Sequence, residues 1–223
     1  MENRAPVRLG ILISGRGSNL QSIIDAIERR ELSAEIKIVI SNRPGAAGLA
    51  RAEAKGIPVR TIDHRRYQSR EDFDRALIQA LRAHEVELVA CAGFMRILSP
   101  LMIEAFPNRI MNIHPSLLPA FPGLNAQQSA LDHGARFAGC SVFFVTAGTD
   151  DGPIIAQAVV PVMPGDDEAS LSERILDQEH RIYPYAISLF QQGRLVVEGR
   201  RVIILDAPRL KDLNAMLNPP LRS

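Results

Sequence analysis

The apolar residues of this chain fall into short continuous runs, separated by segments in which apolar positions recur every three or four residues. A continuous run predicts a buried strand, and the three-to-four spacing predicts a helix packed on it. The first four runs span residues 7–13, 35–40, 57–62 and 88–92. Strands that alternate with helices in this way favour a doubly wound, mostly parallel α/β sheet, with ligand sites at the carboxyl ends of its strands.

Capping and turn residues predict where two of these helices begin and end. Pro44 suits the first position of a helix, and Gly56 suits the position just beyond its end. Ser69 and Asp72 form a capping box for a helix that runs to Ala83.

The second half of the chain predicts an antiparallel extension of the sheet. Further strands are predicted at residues 110–114, 141–146 and 154–162. The turn residues at 149–153 join the last two strands as an antiparallel pair. Helices are predicted at 126–133 and 166–190, a terminal hairpin at 195–197 and 202–205, and a loose tail at 206–223.

Composition narrows the class of protein. The 223 residues fit one large domain, and a formal net charge of +1 argues against nucleic acid or a membrane surface as the main partner. No signal pattern opens the chain, and no apolar segment reaches the roughly 18 residues that a membrane span needs. Cys91 and Cys140 lie in apolar segments, which predicts reduced, buried thiols in a cytoplasmic protein.

The predicted strand at 110–114 carries the strongest candidate chemistry. Asn112 and His114 are two residues apart, so both side chains point to the same face of the strand. Pro115 ends the strand and opens a proline-stiffened loop. An amide and an imidazole at a strand end suit catalysis, although a structural histidine is an equal alternative on this pattern alone.

The glycine-rich segment 15–19 predicts an anion site. It lies between a strand and a helix, where backbone N–H groups and the helix dipole face a bound anion. The chain lacks the GK[ST] of a triphosphate loop, and Leu20 replaces the third glycine of a dinucleotide fingerprint. A monophosphate is therefore favoured, with a plain strand-to-helix turn as the alternative.

The loop 93–98 is unusually apolar for the binding edge of a sheet. It could wall a flat, partly hydrophobic ligand such as a pterin, or it could pack as core under the next helix.

One acid of the Asp150–Asp151 pair completes a candidate site with Asn112 and His114. A carboxylate favours the charged imidazolium, which beside an amide donor suits oxyanion stabilisation and proton transfer. The chain offers no nucleophile elbow, so acyl transfer without a protein nucleophile is predicted. The five histidines lack paired metal-ligand spacing, so no metal site is predicted.

Five motifs occur in one order over about residues 8–198: SGRGSNLQ, AGFMRILSP, NIHPSLLPAFPG, TDDGPII and QEHRIYP. Together they resemble the phosphoribosylglycinamide formyltransferase branch of the 10-formyltetrahydrofolate-dependent formyltransferases. The resemblance implies a single Rossmann-like formyltransferase domain over residues 1–223. Residues 7–110 would bind the ribonucleotide phosphate, and residues 111–205 would form the catalytic and folate site.

The resemblance also implies residue roles. The catalytic positions are Asn112, His114 and Asp150. The ribonucleotide positions are Gly17, Ser18, Asn19 and Glu179. The folate positions are Arg70, Met95, Arg96, Ile97, Leu98, Asn112, Thr146 and Asp150. Asp150 is preferred to Asp151 because it matches the first acid of the family's D-x-G-P pattern.

The implied reaction is direct formyl transfer from 10-formyltetrahydrofolate, as co-substrate, to glycinamide ribonucleotide in purine biosynthesis. The implied partners are these small molecules, with no nucleic acid, no membrane and no metal, for a cytoplasmic monomer or homodimer. Three positions depart from the family pattern, which often has histidine there: Asn125, Gln127 and Phe143.

Three alternatives to this reading remain. Methionyl-tRNA formyltransferase would require a further nucleic-acid-binding domain. Formyltetrahydrofolate hydrolase would require an N-terminal regulatory domain. A non-catalytic nucleotide-binding module would use the glycine loop alone.

Overall fold

A computed structural model describes residues 4–206 of the chain, and its strands form one sheet. The strands are β1 (Val7–Ile13), β2 (Ala34–Ser41), β3 (Val59–Thr61), β4 (Leu88–Cys91), β5 (Ile110–His114), β6 (Phe137–Phe144), β7 (Ile154–Pro161), β8 (Leu195–Glu198) and β9 (Arg201–Ile204). The helices are α1 (Ser18–Glu28), α2 (Ala47–Glu53), α3 (Arg70–Ala83), α4 (Pro100–Ala105), α5 (Ala126–Asp132) and α6 (Glu168–Gln191).

The order of the strands across the sheet is β3-β2-β1-β4-β5-β6-β7-β9-β8. Strands β1 to β5 are parallel, whereas β6 is antiparallel to both of its neighbours and β8 is antiparallel to β9. The predicted α/β sheet, its antiparallel extension and its terminal hairpin are confirmed. The chain order reverses between β1 and β4, and such a switch point opens a crevice at the carboxyl ends of the strands.

Both faces of the sheet are covered, as a parallel sheet requires. Along β4, Leu88 and Ala90 point into one hydrophobic cluster, while Val89 and Cys91 point into another. The first cluster includes apolar residues of α1 and α6, and the second includes apolar residues of α3 and α4. The continuous apolar run at 88–92 therefore reflects burial on two sides.

Two predicted element starts are wrong by three residues or more. The second helix begins at Ala47 rather than Pro44, because Ser41 holds the preceding residues in a turn. Its hydroxyl accepts the Arg43 N–H at 3.0 Å and donates to the Arg43 carbonyl at 2.8 Å, bonds that compete with helix formation. Strand β6 begins at Phe137, four residues before the predicted start.

The predicted N-cap of α3 at Ser69 is confirmed, but only half of the predicted capping box forms, because the Asp72 carboxylate bonds to the Ser69 hydroxyl and not to its backbone N–H. The Ser69 hydroxyl accepts the Asp72 N–H at 3.0 Å and donates to the Asp72 carboxylate at 2.7 Å. The predicted loose tail lies outside the described residues from position 207 onward. Among residues 4–206, no helix is both long and apolar enough to cross a membrane.

Candidate active site

The carboxyl end of β5 presents Asn112 and His114 on one face. The apolar residues Ile110 and Met111 are buried in the sheet and start the strand, and Pro115 lies directly after its last residue. His114 is 6% exposed, whereas Asn112 is half-buried. Among the described residues, no group forms a hydrogen bond with the Asn112 side chain, so its amide is free to bind a ligand.

Each nitrogen of the His114 ring faces an acceptor. Nε2 lies 2.9 Å from the carbonyl oxygen of Phe121, which can only accept, so Nε2 carries a hydrogen. Nδ1 lies 3.5 Å from Oδ2 of Asp150, whose side chain is only 15% exposed. Each ring nitrogen therefore has an acceptor nearby to which it can donate when it carries a hydrogen.

The structure separates the two adjacent acids. Asp150 adopts a left-handed backbone conformation, with φ of 50°, and its Oδ2 also accepts the Gly123 N–H at 2.9 Å. The Asp151 carboxylate turns the other way and accepts the Thr146 hydroxyl. Of the two acids, only Asp150 therefore lies beside His114. The Thr146 hydroxyl is hydrogen-bonded to Asp151.

The loop that carries Asp150 does not start near His114. Strand β6 runs antiparallel to β5, so its last residue, Phe144, pairs with Met111 near the start of β5. The nine residues 145–153 then return Asp150 to the far end of that strand. The third member of the site is placed by this loop and not by a strand end.

The glycine loop leads into α1 without a side-chain cap. Gly17 occupies the N-cap position with φ of 72°, so the first N–H groups of the helix have no capping side chain. A Cβ on Gly17 would lie 2.7 Å from the Cα of Gly48. Glycine at position 17 is therefore required by the approach of α2, and replacing it would disturb this packing as well as any anion site. Gly15 has open space around it.

Asn19 and Glu179 meet although they are 160 residues apart. Nδ2 of Asn19 donates to Oε2 of Glu179 at 2.7 Å, and both side chains are buried. The oxygen of the same amide, Oδ1 of Asn19, is buried without a partner among the described residues. This pair lies at the first turn of α1 and leaves that one buried acceptor unpaired within residues 4–206.

Burial raises the pKa of Glu179 to about 7 from the ordinary 4.5, and the hydrogen bond from Asn19 opposes the shift. A raised pKa means that the folded protein binds this proton more tightly than the unfolded chain does. The proton therefore stabilises the fold fully below about pH 4.5, and this contribution is lost as the pH rises to about 7.

We expect Glu179→Gln to remove this pH dependence. Between about pH 4.5 and 7 the wild type should lose roughly 3 kcal/mol of unfolding free energy relative to the variant. Denaturant titrations on both sides of this window measure the difference. Glu173→Gln, on an exposed position of the same helix, is the control and should follow the wild-type curve. Parallel wild-type and Glu179→Gln curves would contradict the assignment.

In the apolar loop after β4, only some of the residues predicted to contact the folate have exposed side chains. Met95 and Ile97 are 60% and 55% exposed, and Arg96 is also exposed. Leu98 is buried in the core on the α3 side of the sheet, as is Phe94. The loop therefore has both exposed and core residues: Phe94 and Leu98 pack as predicted for core, and the exposed side chains leave the predicted ligand wall open as a prediction. The remaining member, Arg70, is exposed at the first position of α3.

A scan against family models matches residues 7–187 to the formyl transferase family. This chain belongs to the formyl transferase family. The phosphoribosylglycinamide formyltransferase of Escherichia coli strain K12 is 46% identical over 90% of this chain and 94% of its own length. The solved glycinamide ribonucleotide transformylase 1 from Symbiobacterium toebii has a TM-score of 0.89 and 56% identity, covering 90% of this chain and 95% of that one. The resemblance predicted from the motifs is confirmed.

Larger proteins contain the same unit. The human trifunctional purine biosynthetic protein adenosine-3 is 47% identical over 83% of this chain, which spans 18% of the human protein. The corresponding protein of Drosophila pseudoobscura is 47% identical over 92% of this chain, which spans 15% of it.

In this member of the formyl transferase family, the loop after β5 is held by residues that sequence reasoning missed. The hydroxyl of Ser141 accepts the Leu118 N–H at 3.0 Å and donates to the Ser116 carbonyl at 2.7 Å. Gln157 donates to the Leu118 carbonyl at 2.9 Å. The sequence offered one signal for Ser141, which is a polar serine at the start of the apolar run 141–146.

The positions that depart from the family pattern have local structural roles here. Asn125 is the N-cap of α5 with φ of 58°, a left-handed conformation that asparagine tolerates well. Phe143 is buried and lies opposite Asn112 in the β5–β6 pair. Gln127 is half-buried in the first turn of α5. Within residues 4–206, no cluster of three histidine, cysteine or acidic side chains could hold a metal ion.

Proposed function

We propose that this protein transfers the formyl group of 10-formyltetrahydrofolate to the amine of 5-phosphoribosylglycinamide, a step of purine biosynthesis. The observation that carries the proposal is the convergence of Asn112, His114 and Asp150 at the end of β5. These three groups stabilise an oxyanion and relay a proton, and none of them is a nucleophile. That combination fits direct transfer of an acyl group between two nitrogen atoms.

The ribonucleotide is proposed to bind at the start of α1. The N–H groups of Ser18 and Asn19, with the helix dipole, would hold the phosphate. Glu179 and the unpartnered Oδ1 of Asn19 would accept hydrogen bonds from N–H or O–H groups of the same substrate. Both halves of the chain would therefore bind the ribonucleotide, because Ser18 and Asn19 lie in residues 7–110 and Glu179 lies in residues 111–205.

The folate is proposed to lie against the loop after β4. The exposed side chains of Met95 and Ile97 offer apolar contact for its ring, and Arg70 and Arg96 offer charge for its carboxylates. This places the folate wall beside β5, because β4 and β5 are neighbours in the sheet. The formyl group would then face Asn112 and His114.

In the proposed reaction the glycinamide amine attacks the formyl carbon, and the new C–N bond forms as the carbonyl oxygen becomes an oxyanion. Asn112 and the His114 imidazolium donate to that oxygen. The oxyanion would replace the Phe121 carbonyl as the partner of Nε2, because the charged Asp150 is the harder partner to displace. The C–N bond to the folate then breaks, and the proton lost by the amine moves to the leaving folate nitrogen.

The test is one assay of formyl transfer, with purified protein, 10-formyltetrahydrofolate and glycinamide ribonucleotide. Formylated ribonucleotide should appear in step with tetrahydrofolate. Release of formate without dependence on the ribonucleotide would indicate a hydrolase instead. Stabilisation by the nucleotide, with no response to a folate analogue, would indicate a binding module. A cytoplasmic location is part of the proposal and accords with the two buried free thiols.

A further inference from the structure

Ser14 makes two hydrogen bonds to the loop after β4. It follows β1 directly, and it is buried. Its backbone N–H donates to the Gly93 carbonyl at 3.0 Å, and its hydroxyl accepts the Met95 N–H at 2.7 Å. Residue 14 therefore holds this loop through both its backbone and its side chain.

Asn42 determines the direction of the Ser14 hydroxyl. The hydroxyl donates to Oδ1 of Asn42 at 2.6 Å, and the Asn42 side chain is fully buried after β2. Nδ1 of His64 lies 3.2 Å from Nδ2 and 3.0 Å from the backbone carbonyl oxygen of Asn42, so the histidine packs against the residue that orients Ser14. Because its hydrogen is directed to Asn42, the Ser14 hydroxyl can only accept a hydrogen bond from the Met95 N–H.

The far end of the same loop is also held by a buried side chain. The Ser99 N–H donates to Oδ2 of Asp74 at 2.6 Å, and both residues are fully buried. Between these two attachments, Met95 and Ile97 stay exposed although the residues beside them, Phe94 and Leu98, are in the core. Without the bond to Ser14, nothing else among the described residues would hold the Met95 N–H.

Ser14 also lies directly before the glycine-rich segment 15–19 that leads to α1. We propose that Ser14, oriented by Asn42, is a positioning residue that holds the loop 93–98 at a set distance from the glycine loop. Its effect would be to align the folate wall with the ribonucleotide site. This inference rests on the proposed function, because it assigns the two ligands to the two loops.

The direct test compares Ser14→Ala with Ser41→Ala. Both serines are buried at the end of neighbouring strands and bond to backbone atoms, but the Ser41 hydroxyl bonds only to the turn at Arg43. We expect Ser14→Ala to raise the KM for 10-formyltetrahydrofolate by roughly tenfold, the effect of one lost hydrogen bond of ordinary strength. The KM for the ribonucleotide should change much less, and Ser41→Ala should change neither.

Asn42→Ala provides the second variant. It leaves the Ser14 hydroxyl in place but removes the acceptor that orients it, so it should raise the same KM by a smaller factor. The double variant should be no worse than Ser14→Ala, because both changes act through one contact. Fully multiplied effects, or equal changes in both KM values, would overturn the positioning role.

Amide hydrogen exchange of the wild type tests the contact without relying on a variant that folds. The Met95 N–H should exchange at least about tenfold more slowly than the Arg96 and Ile97 amides, although all three residues are exposed. Equal rates would overturn the proposal. A wild type without formyl transfer would sink the proposed function, whereas an active wild type with an unchanged Ser14→Ala KM would sink only the role of Ser14.

Discussion

His114→Ala is expected to lower turnover by roughly 10²–10⁴-fold, because it removes the group that donates to the oxyanion and relays the proton. The loss should appear in kcat, since the imidazolium acts mainly on the transition state. Ribonucleotide binding should survive, because the α1 N-terminus and Glu179 do not contact His114. Steady-state kinetics and a calorimetric titration with the ribonucleotide measure the two quantities.

His84→Ala is the matched control for this loss. His84 lies at the end of α3, where its Nδ1 contacts the Ala80 carbonyl at 2.8 Å, and it has no contact with the candidate site. Its replacement should leave kcat within about twofold of the wild type. A His114→Ala enzyme that also retains turnover within a few-fold would exclude His114 from the reaction.

Asp150→Asn is expected to lower turnover by at least about tenfold. The change keeps the size of the side chain and an oxygen for the Gly123 N–H, but removes the negative charge 3.5 Å from Nδ1 of His114. Without that charge, positive charge that develops on the His114 ring during the reaction loses the carboxylate that stabilises it. Nitrogen NMR of labelled histidine follows the His114 ring directly, alongside kcat.

Asp151→Asn tests whether the effect of Asp150→Asn comes from the charge beside His114 or from any loss of charge in the same loop. It keeps an oxygen for the Thr146 hydroxyl and removes the charge of a carboxylate that faces away from His114. Turnover and the His114 signal should therefore stay near their wild-type values. If Asp151→Asn shifts the histidine and Asp150→Asn does not, the assignment of the acid is wrong, although the reaction could still stand.

The elements of the fold could be predicted where the responsible interactions are local. The apolar run at 7–13 matches β1 in both bounds, because a strand buried on two faces needs apolar residues throughout. The predicted N-cap at Ser69 matches the start of α3, because the bonding groups are three residues apart. The predicted start of α2 is wrong because the Ser41 hydroxyl bonds to the Arg43 backbone and Asn42 bonds to Ser14, 28 positions away, so Pro44 lies in a turn before the helix.

Local pattern alone determined that Asn112 and His114 share one face of a strand that ends at Pro115, because side chains alternate along every strand. The family motifs added the preference for Asp150. Only the tertiary structure decided that the Asp150 carboxylate faces His114 while that of Asp151 faces Thr146. The loop 145–153 starts beside the opposite end of β5, so no spacing in the sequence encodes its return.

The same holds for the contacts between distant segments. Asn19 reaches Glu179 across 160 positions, and Ser14 reaches Met95 across 81. Each contact depends on which strands become neighbours and on how α6 packs against α1. Those choices are made by burial of apolar surface over the whole sheet, which is non-directional, and the buried polar groups then have to find partners within the packing that results.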